Sequence, residues 1–347
     1  MEDNTKGLDS LPQPVLVDYL KDKIDGVDNR LTASKFSGGQ SNPTFKLQCG
    51  DTSWVLRRQP PGKLLKSAHA VDREFRVLQA LADTSVPVPH VYHLCENSDI
   101  IGSMFYIMEC VEGRVFWDSA LPEIDSIEQR SAMYDQMNQV MASLHSVDIE
   151  QVGLADFGRP GNYFERQLSR WTKQYRLSET SRIDEIDLLI TWLEQNLPED
   201  DGRVSLVHGD YRMDNLMFDS VEPKIVAVLD WELSTLGHPF ADLAYQCMQL
   251  RLPADIGHAP GLGGVSRQSL GIPTEQQYTE QYCERMGLTR IEHWHFYLAF
   301  SFFRLAAIAQ GVAKRALEGN ASSTKAKQVG AMVKPLAILA TELINNE

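Results

Sequence analysis

Three oxygen-bearing side chains stand at fixed intervals around two short apolar segments, and this spacing constrains the fold more than any other feature. Asp210 and Asn215 are five residues apart, and Asp230 follows Asp210 by twenty residues. Residues 216–218 and 225–229 read as short buried strands around a Glu-Pro turn. A hairpin there returns Asp230 to the end that carries Asn215. The spacing therefore predicts that these two side chains share a cation.

The same three residues suit phosphoryl transfer, because protein kinases space an Asp, an Asn and a second Asp in this way. Asp210 is the candidate catalytic base, which orients and deprotonates an attacking hydroxyl. Asn215 and Asp230 are the candidate ligands of Mg²⁺, a hard cation that prefers oxygen atoms. His208 is expected to hold the loop through a hydrogen bond rather than to act on the substrate.

Composition places the chain among globular proteins and excludes two classes of partner. Of its 347 residues, 43% are hydrophobic and 23% are charged, which is ample material for a core. The formal net charge of -14 argues against affinity for nucleic acid or for an anionic membrane. The five cysteines show no metal-ligand spacing and favour a reducing compartment. With no signal-peptide pattern and no uninterrupted apolar run of membrane-spanning length, a cytoplasmic protein is expected.

The order of the predicted elements indicates two lobes. Residues 1–111 are rich in strands and carry a helix at 70–81, whereas residues 112–347 are mostly helical, with the catalytic and metal-binding hairpins embedded. This order disfavours a doubly wound sheet. It predicts the α+β class and a two-lobed protein-kinase-like fold, with a small β-rich N-lobe and a larger helical C-lobe. One final helix is expected over 324–345, and a long functional or mobile loop over 252–273.

The N-lobe carries a candidate phosphate clamp. Arg57 lies in the predicted third strand, and Glu74, seventeen residues later, lies in the helix that follows. We expect Arg57 to contact phosphate and Glu74 to be its ion-pair partner. Strand alternation gives Arg58 the opposite face, and Arg58 remains the rival for the phosphate contact.

Two further regions of the N-lobe are candidate nucleotide contacts. The first is a turn that replaces a full glycine-rich loop and whose amides would cover phosphate less extensively, formed by Gly38, Gly39, Gln40 and Ser41. The second is the end of an apolar strand at the lobe boundary, where the backbone of Glu109 and Val111 suits the edge of an adenine. A plain buried strand end is an equal interpretation of that second region.

The C-lobe and its hairpin contribute two more candidate carboxylates. Asp242 falls in the first turn of a helix, where it is either a residue favoured by the helix dipole or a buried brace beneath the catalytic loop. Glu232, two residues after Asp230, is either a metal or substrate contact or an exposed structural carboxylate.

These motifs resemble the aminoglycoside phosphotransferase family, a branch of the protein-kinase-like fold. The resemblance covers most of the chain and rests on HGDxxxxN at 208–215, LDWE at 229–232 and GHPxxDLA at 237–244. More narrowly, FSGGQSNPTF at 36–45 and FYLAFSFFRLAAIAQGV at 296–312 resemble the subgroup related to the kinase domain that is fused to some acyl-CoA dehydrogenases.

The resemblance implies phosphorylation of a small-molecule hydroxyl, with ATP and Mg²⁺ as cofactors. It also implies a hydroxy acid or hydroxyacyl thioester as acceptor and a functional link to an acyl-CoA dehydrogenase. Arg304, on an apolar helix, is then a candidate contact for an anion of the substrate, and pairing with a core carboxylate is the alternative. Arg57 departs from the usual lysine of the family, and a guanidinium contacts phosphate differently from a point charge.

Two other functions remain open. A pseudokinase-like module that binds nucleotide or a partner without transfer activity fits the short glycine turn and Arg57. A metal-dependent hydrolase would use a metal cluster of His208, Asp210, Asp230 and His238, but it leaves the two-lobe order unexplained. A P-loop enzyme is excluded, because the chain contains no GxxxxGK[ST].

Overall fold

The structure, a computed structural model, describes residues 11–36, 42–60, 69–256, 260–318 and 324–345. The chain divides into two compact units. The first unit comprises residues 1–113 together with 226–233, and the second comprises residues 114–225 and 234–347.

The segment 226–233 belongs to the first unit, whereas the sequence had placed it in the C-lobe. The Val228 N–H donates to the carbonyl oxygen of Pro87 at 2.8 Å. An ion pair between Asp230 and Arg57 then attaches the same segment to the sheet of the first unit. These partners lie more than a hundred residues away in the chain, and no local pattern predicts them.

The first unit is built on a five-stranded antiparallel sheet with strand order β1-β2-β3-β5-β4. Its strands are β1 (Thr32–Lys35), β2 (Thr44–Cys49), β3 (Thr52–Arg58), β4 (Val91–Cys95) and β5 (Phe105–Glu109). Alternate residues of β2 are buried, as expected for a sheet with one face on a core. Leu16 of α1 (Gln13–Leu20) lies in that core with Phe45, Leu56 and Phe105.

A second helix of this unit, α2 (Val71–Leu81), follows the sequence prediction for 70–81 within one residue. Val71, Val77, Leu78 and Leu81 are buried at helical spacing, and Glu74 is buried among them. A short 3-10 helix at Trp231–Leu233 contacts α2. The sequence pattern thus located the helix, and Glu74 is its one buried carboxylate.

The second unit is mostly helical, as predicted. Its helices are α3 (Ile127–His145), α4 (Tyr163–Ser178), α5 (Asp184–Gln195), α6 (Phe240–Arg251), α7 (Glu275–Arg285), α8 (Trp294–Leu317), α9 (Thr324–Ala331) and α10 (Val333–Asn345). Short strands are β6 (Arg114–Val115), β7 (Ser205–Val207), β8 (Leu216–Phe218) and β10 (Thr235–Gly237). β6 pairs antiparallel with β8, and β10 pairs antiparallel with β7.

The predicted hairpin strands after the catalytic loop are present. β8 is followed by β9 (Ile225–Val228), in which the chain passes from the second unit to the first. In the turn between them, the Asp219 N–H donates to the carbonyl oxygen of Lys224 at 2.8 Å. A 3-10 helix at Met213–Asn215 leads directly into β8. Asn215 is the last residue of this short helix, which therefore sets the position of its Cα.

α8 is the central helix of the second unit and packs against α4, α5, α6, α9 and α10. By length and composition alone it could cross a membrane, although the sequence had suggested no run of that kind, and 72% of its most apolar stretch is buried inside the protein. That degree of burial is typical of a core helix.

The predicted helix over 324–345 is two helices, because α9 ends at Ala331 and α10 begins at Val333. Pro335 is the cause. Its ring clashes with the carbonyl four residues earlier, at Ala331, and it has no N–H to donate there. A single helix across this point is therefore excluded.

The described parts of the predicted loop at 252–273 contain regular backbone pairing. Pro253 and Gly263 form an isolated parallel bridge, and Gln268–Leu270 is a short 3-10 helix. A Cβ at Gly261 would lie 2.0 Å from the carbonyl oxygen of Leu252, so only glycine permits this close approach. The glycines that suggested a loop thus serve to pack backbone against backbone.

Candidate functional site

Arg57 is the centre of a charged cluster in the first unit. β3 and β5 pair in a register that sets Arg57 opposite Tyr106. The Arg57 Nε lies 2.8 Å from Glu74 Oε2, and its Nη2 lies 2.5 Å from Asp230 Oδ1. The contact with Glu74 is an ion pair without hydrogen-bond alignment. Glu232 Oε2 lies 4.0 Å from the same Nη2, at the edge of the cluster.

Glu74 is buried and is held by neutral partners as well as by Arg57. Asn42 Nδ2 donates to its Oε1 at 2.7 Å, and the Tyr106 hydroxyl donates to its Oε2 at 3.2 Å. Burial raises the pKa of Glu74 to about 7, even though Arg57 favours the charged form, and Asp230 also raises it. Burial by itself lowers the pKa of Arg57, but the surrounding carboxylates more than reverse this and raise it above its usual value. Arg57 therefore stays charged.

Asp230 has an unusual backbone conformation, with a φ of 65° in the left-handed region. Residues other than glycine rarely adopt it, and such positions concentrate at functional sites. The 3-10 helix that follows is secured by Trp231, whose Nε1 donates to the carbonyl oxygen of Val228 at 2.9 Å. The carboxylate is partly exposed. Its Oδ2 has no partner within the described residues and remains available to a ligand.

Arg58 lies on the opposite face of β3, as strand alternation predicted. It is buried, and its Nη1 lies 3.4 Å from the carbonyl oxygen of Ile101 while its guanidinium lies over the ring of Phe45. Of the two arginines, Arg57 is thus the one in contact with Glu74. A phosphate contact by Arg57 stays a prediction.

The catalytic loop of the second unit is held by Asp242, in the first turn of α6. The His208 N–H donates to Asp242 Oδ2 at 2.6 Å, and the Gly209 N–H donates to Oδ1 at 2.8 Å. His145 Nε2 lies 3.3 Å from Oδ2. Burial alone raises the pKa of Asp242, but these hydrogen bonds and the nearby imidazoles hold it below its usual value. A buried carboxylate therefore braces the loop from beneath.

Asp210 and Asn215 are in direct contact. Asn215 Nδ2 donates to the Asp210 carbonyl oxygen at 2.9 Å and to its Oδ2 at 3.0 Å. Arg212 Nε lies 3.3 Å from Asp210 Oδ1. Gly209 has a φ of 85°, which a side chain would strain, and this allows the loop to turn just before Asp210. The amide oxygen of Asn215 has no partner within the described part of the chain and points to a role as a ligand.

His208 and His238 are engaged in structural contacts. The Asp210 N–H donates to His208 Nδ1 at 3.2 Å. His238 accepts a hydrogen bond from the Phe240 N–H at Nδ1 and lies 3.3 Å from Asp201 through Nε2. Among the described residues, no group of three or more His, Cys, Asp or Glu side chains is arranged to hold a metal ion. The Nδ1 atoms of both histidines are thus engaged by backbone N–H groups.

The remaining predicted residues are placed as follows. The Glu109 N–H donates to the His90 carbonyl oxygen at 2.7 Å, so this donor is already used within the first unit. The Val111 N–H has no backbone partner among the described residues. Arg304 Nη2 donates to the Gly209 carbonyl oxygen at 2.8 Å. Its hydrogen-bond partner is therefore a backbone carbonyl, and not the core carboxylate of the alternative prediction.

Four candidates, Gly38, Gly39, Gln40 and Ser41, lie outside the described residues. Asn42, which follows them, is buried and bonded to Glu74. The cluster at Arg57 and the loop at Asp210 each occur within one compact unit, and the sharing of one ion by Asn215 and Asp230 stays a prediction.

Sequence reasoning missed several residues that complete these clusters. Tyr106 meets Arg57 only because of strand register, and His145 meets Asp242 across a long chain separation. Neither carries a local signal. Arg212 and Asn42 lie inside motifs that the sequence analysis had identified. An arginine two residues after the candidate base, and an amide at the end of the predicted turn, are signals that could have found them.

The sequence pattern of the phosphotransferase enzyme family matches residues 32–271 of the chain. The chain belongs to this family. The predicted family is thereby confirmed, and so is the predicted α+β fold. A crystal structure of a Ralstonia eutropha protein with the provisional name aminoglycoside phosphotransferase is 46% identical. It has a TM-score of 0.88 and covers 97% of this chain and 99% of its own.

Spectinomycin phosphotransferase, solved with ADP and spectinomycin, shares the fold at 13% identity. The TM-score is 0.62, and the match covers 96% of this chain and 98% of that one. At this identity the likeness concerns the fold alone.

The curated relatives of this chain are named after a different class of enzyme, the acyl-CoA dehydrogenases. Acyl-CoA dehydrogenase family member 10 of Mus musculus is 47% identical over 339 residues, which is 97% of this chain and 32% of the relative. Acyl-CoA dehydrogenase family member 11 of Rattus norvegicus is 44% identical over 330 residues, which is 94% of this chain and 42% of the relative. The chain thus spans less than half the length of these relatives.

Proposed function

We propose that this protein transfers the γ-phosphoryl group of ATP to a hydroxyl of a small molecule in a Mg²⁺-dependent reaction. The observation that carries the proposal is the Asp210–Asn215 pair: a carboxylate and a carboxamide in contact, on a loop anchored to a buried carboxylate. Membership of the phosphotransferase family supports small-molecule kinase activity.

Asp210 is proposed as the group that orients the acceptor hydroxyl and accepts its proton. Arg212 lies beside Oδ1 and Asn215 donates to Oδ2, so the carboxylate is held in a defined position. Phosphoryl transfer passes through a loose transition state, in which orientation matters more than base strength. A carboxylate fixed in position therefore suits this reaction.

Asn215 and Asp230 are proposed to hold Mg²⁺. Both present an oxygen atom without a partner in the described residues, and oxygen atoms are the ligands that Mg²⁺ prefers. Sites for Mg²⁺ commonly use one or two protein groups together with phosphate oxygens and water. When bound, the ion would neutralise charge on the nucleotide phosphates.

Arg57 is proposed to contact the nucleotide phosphates while Glu74 holds its guanidinium. Gly38, Gly39, Gln40 and Ser41 are proposed to contribute backbone amides, and Glu109 and Val111 to meet the adenine edge. Fold neighbours solved with ADP or AMP-PNP support a nucleotide as the phosphoryl donor.

The acceptor is proposed to be a hydroxy acid or a hydroxyacyl thioester. The support is the names of the relatives, which are called acyl-CoA dehydrogenase family members 10 and 11. A functional link between this chain and an acyl-CoA dehydrogenase is proposed on the same ground. Glu232, at the edge of the Arg57 cluster, is a candidate contact for the substrate.

One observation favours a second candidate, a nucleotide-binding module without transfer activity. Arg57 Nη2 lies 2.5 Å from the carboxylate proposed to hold Mg²⁺, so a protein cation already neutralises it. If that pair persisted with Mg²⁺-nucleotide, Asp230 would be a poor metal ligand.

An assay of ADP formation separates the two candidates. With Mg²⁺-ATP and a panel of hydroxy acids, their CoA thioesters, amino alcohols and aminoglycosides, we expect at least one acceptor to be phosphorylated. Asp210→Ala should lower that rate by roughly 10²–10⁴-fold, because the positioned base is lost. Mg²⁺-ATP should still raise the Tm of the variant, since it binds the folded state. Equal rates for both proteins would refute the proposed role of Asp210.

A further inference from the structure

Arg304 connects helix α8 to the catalytic loop. Its Nη2 donates to the carbonyl oxygen of Gly209 at 2.8 Å, and Gly209 immediately precedes Asp210. One edge of the guanidinium is thus fixed at the backbone beside the proposed base.

Two aromatic rings hold the guanidinium in place. Its central carbon lies 5.3 Å from the ring centroid of Tyr245 on α6 and 6.0 Å from that of Trp171 on α4. A planar, weakly hydrated guanidinium is suited to such contacts, which orient the charge without neutralising it. Three helices therefore position one arginine.

Arg304 has no carboxylate partner among the described residues. The half-buried Arg251 of this unit does have one, since it pairs with Glu275. The Nε and Nη1 atoms of Arg304 are neither bonded within the described chain nor buried. In a protein with a net charge of -14, a positioned arginine with two open donors is a site for an anion.

Tyr245 links this arginine to the proposed base. Its ring lies against Arg304, and the Asp210 carboxylate acts electrostatically on its buried hydroxyl. Burial raises the pKa of the hydroxyl, Asp210 raises it further, and Arg212 and Arg304 oppose this rise. The carboxylate of Asp210 and the guanidinium of Arg304 therefore act on a single side chain and belong to one cluster.

We infer that Arg304, held by Trp171 and Tyr245, recognises an oxyanion of the acceptor, a carboxylate or a phosphate, close to the reacting hydroxyl. The inference rests on the proposed function and deepens it, because it assigns the acceptor to the anionic hydroxy compounds. A polycationic aminoglycoside would be repelled at this position.

Matched acceptors test the inference through KM. Straight-chain hydroxy acids are compared with their methyl esters, which keep the hydroxyl and lose the charge. For Arg304→Gln we expect the KM of the acid to rise roughly 10- to 100-fold, as for the loss of a charged hydrogen-bonded contact. The KM of the ester should be unchanged, and Arg304→Lys should restore part of the affinity for the acid.

Arg170→Gln is the matched control. Arg170 lies over the same Trp171 ring, at 5.4 Å from its centroid, but is exposed and belongs to the outer surface of α4. Its loss should leave the KM of both acceptors unchanged. If Arg304→Gln lowered kcat equally for the acid and the ester with no change in KM, Arg304 would only support the loop, and the inference would be overturned.

Two further arms identify the source of the oxyanion. If Arg304→Gln raises the KM of the free hydroxy acid, the anion is its carboxylate. If it raises only the KM of the CoA thioester, in which that carboxylate is lost, the anion is a CoA phosphate. An effect on neither acceptor contradicts the inference.

A binding measurement without ATP separates failure of the inference from failure of the proposed function. Calorimetric titration with pentanoate, inorganic phosphate and coenzyme A is carried out on the wild-type protein and on Arg304→Gln. If one of these anions binds in a way that depends on Arg304 but no acceptor is phosphorylated, the anion site is supported and the proposed kinase activity is rejected. Equal binding, or none, in both proteins would reject the anion site whatever the kinase assay shows.

Discussion

At the scale of single residues, the arginine in β3 joins two carboxylates of the first unit. A guanidinium has several donors in a planar fork and reaches Glu74 and Asp230 at once. A lysine would present one compact charge to these carboxylates. Arg57 was identified from strand alternation and spacing. Glu74 was predicted as its partner from the same spacing, whereas the contacts of Tyr106 and Asn42 with Glu74 depend on the tertiary structure.

The distinct proposed roles of two aspartates give a prediction at this scale. Asp230→Asn should weaken Mg²⁺-AMP-PNP binding roughly 10- to 100-fold, because a charged oxygen ligand is lost. Asp210→Asn should change the affinity only slightly, since its proposed partner is the acceptor. Calorimetric titration of both variants measures this.

The matching control is nucleotide binding without Mg²⁺, which should differ little between the wild type and Asp230→Asn. If Asp210→Asn weakened Mg²⁺-nucleotide binding more than Asp230→Asn, the two roles would have been assigned the wrong way round.

At the scale of elements, helix α6 determines whether the catalytic loop has a fixed shape. Asp242 lies in its first turn and accepts two backbone N–H bonds from the loop. The sequence left two interpretations of Asp242 open, and only burial and the contact with His145 distinguish a brace from a residue favoured by the helix dipole. The boundary between α9 and α10 shows the opposite case, since Pro335 was visible in the sequence and its effect follows from local sterics.

A prediction at this scale concerns the brace. Asp242→Ala should destabilise the protein by about 2–4 kcal/mol, because two buried N–H groups of the loop lose their acceptor. The urea midpoint measures the loss of stability, and ADP formation should fall with it even at temperatures where the variant is folded.

Glu318→Gln, an exposed change just after α8, is the control and should leave the urea midpoint unaltered. A stable Asp242→Ala variant with wild-type activity would show that the loop holds its shape without this carboxylate.

At the scale of the whole molecule, the stability of a chain with a net charge of -14 depends on where carboxylates are buried. Most of them are exposed and contribute little. Among the described residues of the first unit, Glu74 is the exception, since it is buried and its pKa of about 7 lies above the ordinary value of 4.5. Its contribution to stability is fully present below pH 4.5 and is lost as the pH rises to 7, because the folded state then has to bury a charge.

Glu74→Gln should therefore remove part of the pH dependence. Between pH 5 and pH 8, the free energy of unfolding of the wild type should fall by up to about 3 kcal/mol more than that of the variant. Urea titrations at both pH values measure the difference. An equal loss of stability in both proteins would mean that Glu74 is charged throughout this range, with Arg57 outweighing burial.

The sequence by itself determined most of the helices and strands and the family, and it supplied the prediction of the site. Apolar periodicity, prolines and the five-residue interval from Asp210 to Asn215 are local properties that can be read from the sequence. The tertiary structure decided which charges meet: Arg57 with Asp230 across 173 residues, and Arg304 with a backbone carbonyl instead of a carboxylate. Ion pairing depends on register and burial between distant segments, and no local pattern encodes either.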